Sequence, residues 1–168
     1  MKFSDRMNIS FLIDICKQIG CPQRIIQYVS FIYYKRCKID NYFIDVEFLT
    51  KKIPHNDNIS KEKVDEFELQ ICIEIDFNFN IQDVYKLIKE LNVEKKLLKI
   101  IWIFINDSFY LPLRMKYNNE DILMSCLYLA EIINSSNIVE FGKINNDWNS
   151  NFQTVDAICK ELLDLYEI

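Results

Sequence analysis

Glycine and proline are nearly absent: the 168 residues include two glycines and three prolines. A fold of many short strands needs both residues at its turns, so an all-β sandwich or barrel is excluded. The two glycines, Gly20 and Gly142, stand far apart. No loop can therefore bring clustered glycine backbone against a phosphate, which excludes Rossmann and P-loop nucleotide sites in their usual form. Helices joined by short polar links need little of either residue, so the fold class is all-α. With 50% apolar and 14% aromatic residues the chain can build an ample core. Its length suits one compact domain or two small ones. Twenty-seven isoleucines and sixteen asparagines against two alanines make intrinsic helix propensity a poor guide. Periodicity therefore carries the assignment.

Ile9, Leu12, Ile13, Cys16 and Ile19 recur at helical spacing, and Gly20 ends that helix. Ile25, Tyr28, Val29, Ile32 and Tyr33 predict a second helix, started by Pro22 and closed around Arg36. Phe43 to Ile53 predicts a third, stopped by Pro54 and followed by a polar loop, His55 to Asn58. Ser60 then caps a helix whose face carries Val64, Phe67, Ile71 and Ile75. A second group starts near Ile81, with Val84, Leu87, Ile88 and Leu91 on one helix. Leu97, Leu98, Ile101, Trp102 and Ile105 line the next. Ile122 to Ile133 reads as a buried central helix. An Asn-rich stretch, Asn134 to Asn151, is tied down by Ile138, Val139, Phe141 and Trp148. Val155, Ile158, Cys159, Leu162, Leu163 and Tyr166 close the chain. The expectation is eight or nine helices in two bundles, 1–80 and 81–168.

The net charge of −5 argues against direct nucleic-acid binding. Six cysteines contain no C-x-x-C pair, and His55 is the only histidine, so no metal site is expected. Residues Met1 to Arg6 lack the apolar stretch of a signal peptide. The longest apolar run, Ile100 to Ile105, is far short of a membrane span. These features lead to an expectation of an intracellular, reducing compartment. His55 has no nucleophile pattern beside it, and Asp65 and Glu66 diverge as successive helical residues. Asn106-Asp107-Ser108 reads as a helix terminus satisfied by its own side chains. Lys95, Lys96 and Lys99 form a small basic patch, read as a solvated face. No catalytic constellation or cofactor motif emerges.

Several segments, in order, resemble the cyclin family. Phe31-Ile-Tyr-Tyr-Lys-Arg36 is similar to the end of the second helix of a cyclin box, and Phe48-Leu-Thr-Lys-Lys-Ile53 to the end of the third. Phe67-Glu68, with Phe77 following, resembles the fifth helix, and Asp83-Val-Tyr85 the opening of a second box. Trp102 to Ser108, Met124 to Ala130 and Ile158 to Tyr166 look like the transcriptional cyclins. The K and L types are nearest, and the C, T and H types are also similar. The resemblance covers roughly residues 9 to 167. It implies a cyclin fold of two helical boxes, the first shortened between Arg36 and Phe48, with a reduced fourth helix. Pro54-His55 departs from the acidic pair of many members, as do Asp45 and Glu47 from small or apolar residues. The Met-Arg-Ala-Ile-Leu docking motif of cell-cycle cyclins is absent.

What the resemblance implies is a nuclear, non-catalytic subunit that forms a heterodimer with a cyclin-dependent kinase and activates it. By the likeness to the K and L types, the substrate is the C-terminal repeats of RNA polymerase II. Carried over by position, Lys52 is the family's lysine, a donor to the kinase backbone, and Glu68 the family's glutamate, an acceptor. Leu49, Ile53, Cys72, Phe77 and Phe79 match the apolar positions around them. The bland alternatives are a solvated Lys52 at a helix end, a solvent-facing Glu68, and Phe77 and Phe79 as ordinary core aromatics. Two other functions stay open: a cyclin H- or C-like subunit of a kinase-activating or Mediator assembly, and a cyclin-fold adaptor resembling general transcription factor IIB.

Overall fold

The computed structural model describes residues 3–40, 61–79, 81–134, 140–148 and 150–166. Among them all regular structure is helical, eight α-helices and two short 3₁₀ turns, with no strand. They fall into two compact units, Met1–Ile81 and Gln82–Ile168. The expected third helix with its following loop, and the Ser60 cap, lie outside the described residues.

In the first unit, α1 (Phe3–Gln18) packs on α2 (Gln23–Asp40), which in turn meets α3 (Lys61–Glu74). Gly20 ends α1 as expected, and the reason is conformational. Its φ of +73° lies where side-chain-bearing residues are strained. That geometry lets Cys21 N donate to Cys16 O at 2.8 Å and Gly20 N to Lys17 O at 3.1 Å, satisfying the last carbonyls. Ile9, Ile13 and Cys16 are buried, whereas Ile19, expected on the same face, is 71% exposed. On α2 the buried set is Ile26, Gln27, Ser30, Tyr33 and Tyr34, one step from the expected phase at its start, and Ile25 faces solvent. The helix is apolar nearly all round near Ile25-Ile26 and Phe31 to Tyr34, so periodicity alone leaves its rotation undetermined. It also continues past Arg36 to Asp40.

The second unit is built around α6 (Asn119–Ile133), which packs against α4 (Val84–Glu90), α5 (Lys95–Asp107), α7 (Glu140–Trp148) and α8 (Phe152–Leu163). Being surrounded explains why residues Ile122 to Leu127 are all buried, as the apolar sequence predicts. Its last two residues, Ile132 and Ile133, are about half exposed, so the burial stops about half a turn early. Asn118 caps α6 by accepting from Asp121 N at 2.7 Å, and Asn151 caps α8 by accepting from Gln153 N at 2.8 Å. Part of the asparagine richness is thus capping chemistry.

The Asn-rich stretch contains a helix, α7, that its composition did not announce. Its start is held by Glu131 of α6, 1% exposed, whose two oxygens accept from Glu140 N at 2.8 Å and Phe141 N at 3.0 Å. A carboxylate at a helix N-terminus meets unpaired donors and the positive end of the dipole together. Phe141 then packs edge-on to Tyr128, and Tyr128 to Phe152, fixing α7 and α8 on α6. Phe141 therefore anchors this stretch as expected.

Candidate functional site

The end of α3 departs furthest from ordinary helix chemistry. It terminates without glycine: Asp76 and Phe77 both take left-handed backbone angles, φ 56° and 48°. Asp76 N donates to Ile73 O at 2.9 Å and Phe77 N to Cys72 O at 2.8 Å, the bonding that a glycine terminus makes. Aspartate tolerates this region, but for phenylalanine it costs about 1–2 kcal/mol. Two contacts hold the turn against that cost. Ile75 is buried, and Lys35 reaches across from α2 to donate its Nζ to Ile75 O at 3.0 Å. A cation there also meets the negative end of the helix dipole.

The turn presents apolar surface outward. Phe77 is 59% and Phe79 45% exposed, while Cys72 is half-buried. Leu69 and Ile73, four residues apart and so neighbours on one row of α3, are also more than half exposed. Glu68 lies on α3 one turn before Cys72; its side chain, like Lys52, Leu49 and Ile53 entirely, lies outside the described residues. Of the residues singled out from sequence, the structure thus groups Cys72, Phe77 and Phe79 at the end of one helix. Lys35 was missed, because a lysine in a run of aromatics carries no local sign of which carbonyl it will cap.

In the second unit the polar terminus of α5 does more than satisfy itself. Ser108 Oγ donates to Ile105 O at 2.6 Å, as the self-capping reading expects. Asn106 instead accepts from the buried Tyr85 hydroxyl at 2.7 Å, and Asp107 accepts from Tyr166. The end of α5 is therefore pinned to α4 and to the turn following α8. Burial pushes the Tyr85 and Tyr166 phenols well above their ordinary range. Arg114 lies over the Phe109 ring at 4.4 Å, its Nη1 donating to Ser108 Oγ at 3.2 Å. Burial lowers its pKa to about 10. Among the described residues no three histidine, cysteine, aspartate or glutamate side chains are grouped to hold a metal, and no helix is long and apolar enough to cross a membrane.

Described residues that are helical throughout, with an outward apolar turn, have the makings of a protein-binding module. Over 108 residues it is 29% identical to cyclin-K of Danio rerio, the match covering 60% of this chain. This distant similarity points to the cyclin family, in its transcriptional branch, and supports a cyclin-like regulatory protein. The matched region is 25% of cyclin-K, so the chain spans about a quarter of the length of this curated relative. No protein-family model matches the chain.

Proposed function

We propose that the chain is a cyclin that binds and activates a cyclin-dependent kinase of the transcriptional type, acting in the nucleus on RNA polymerase II. The similarity to cyclin-K carries this reading. In it, the two compact units are the two cyclin boxes, and α3 is the fifth helix of the first. The outward Phe77 and Phe79 are the aromatic part of the kinase contact, with Cys72 beside them. Backbone strain borne by an exposed phenylalanine fits a turn shaped for a partner better than one shaped for its own stability.

The chemistry needs no catalytic group from this chain. Apolar residues at the end of α3 and at Leu49 and Ile53 form the desolvated centre, where binding energy concentrates. Lys52 and Glu68 bind kinase backbone as donor and acceptor, each contributing about 1.5–3 kcal/mol. Together they hold the kinase's C helix inward, so that the kinase's own lysine–glutamate pair forms over ATP. The test is reconstitution with a transcriptional cyclin-dependent kinase. Lys52→Ala with Glu68→Ala is expected to cut activation or affinity at least tenfold, about 1.4 kcal/mol. A well-folded double variant with no loss would remove the assigned contact.

A further inference from the structure

The outward face of α5 combines features that its own unit does not use. Leu98, Lys99, Trp102 and Ile103 line a shallow groove of about 430 Å³. Trp102 is 38% and Ile103 56% exposed. Trp102 is nevertheless held in place, its ring centre 4.6 Å from that of Tyr85, which Asn106 fixes in turn. Steps of three and four residues set Lys95, Leu98, Lys99 and Trp102 along one face, with Lys96 and Ile103 on its edge.

The charge around this groove is mostly positive, three lysines against Glu94, the exposed N-cap residue of α5. Lys95, Lys96 and Lys99 are all exposed, and none is in an ion pair among the described residues. Glu94 at the N-cap is the one acid at this end of α5; within its first turn the residues are Lys95 and Lys96, although the dipole disfavours cations there. Against a chain of net charge −5, the patch is a local reversal of sign.

We propose that this face docks an acidic amphipathic helix of a partner protein. The helix lays its apolar row on Leu98, Trp102 and Ile103 and sets its carboxylates against Lys95, Lys96 and Lys99. The surface shares no residue with the proposed kinase contact, so it gives the chain a second partner. A nucleic acid would meet the lysines but leave the aliphatic part of the groove without a counterpart.

The test uses the full chain and a dye-labelled synthetic helical peptide, leucine and phenylalanine on one face and glutamate on the other, read by fluorescence anisotropy. Saturable binding is expected, weakened at least tenfold in the K95E/K96E/K99E variant and in Ile103→Ser. All four positions are exposed, so the fold is not at stake. Three results would overturn the proposal: equal binding of a peptide with lysine in place of glutamate, unchanged binding by the charge-reversed variant, or tighter binding of a single-stranded oligonucleotide than of the acidic peptide.

Discussion

Phe77 offers a test in which stability and partner binding separate. At an ordinary position glycine is less stable than alanine by about 0.5–1 kcal/mol, because it loses more backbone freedom on folding. Phe77 sits at φ 48°, where any side chain costs about 1–2 kcal/mol and glycine costs none. Both substitutions lose the same burial. With 59% of the residue exposed, that loss is about two fifths of the 1.5–3 kcal/mol for a fully buried side chain, roughly 1 kcal/mol. The order should therefore invert: Phe77→Gly is more stable than Phe77→Ala by about 0.5–1 kcal/mol, and close to the parent chain. Urea denaturation of the three proteins measures this directly. Both variants should lose kinase affinity about tenfold or more, as truncation of a central aromatic does. An alanine variant more stable than the glycine variant would refute the left-handed turn.

Glu131→Ala removes two acceptors from the first turn of α7 and should destabilise the second unit by about 3 kcal/mol, with Glu131→Gln costing about half as much. A change below about 0.5 kcal/mol in denaturation would contradict the cap. Lys35→Ala should cost about 1–2 kcal/mol and speed hydrogen exchange at Phe77 and Asn78, whose amides close the turn; unchanged exchange would show that the capping bond does not hold it. Burial pushes the Cys159 thiol up to about 12, and Cys126 upward as well. Folded values above the unfolded value of about 8.5 give stability that is complete below that pH and lost as pH rises toward about 12. Urea midpoints should fall across that window and fall less in Cys159→Ala; identical profiles would contradict the assignment.

Much of the second unit was legible in the sequence because its helices differ sharply between faces. On α5, Leu97, Ile101 and Ile105 of the expected face are buried, whereas Leu98 is half-buried and Trp102 exposed, and α6 was apolar enough to be read as central. The rotation of α2 was not legible, since a helix apolar on several sides has no phase to read. Nor was α7, whose start depends on a carboxylate buried in another helix. At the candidate site, ordered motifs pointed to Cys72, Phe77 and Phe79. The left-handed turn that presents the phenylalanines had no signal, because the residues that normally report it, glycine or asparagine, are not there. The lysines of α5 are exposed, as a solvated face requires, and the groove beside them carries no signal in the sequence.

The central claim is tested most directly by purifying the tagged chain from its native cells and identifying what accompanies it by mass spectrometry. The account predicts a cyclin-dependent kinase at near-equal stoichiometry, active in the complex and inactive without this chain. Recovery of polymerase or promoter factors with no kinase would contradict it, leaving a helical adaptor in place of a kinase activator.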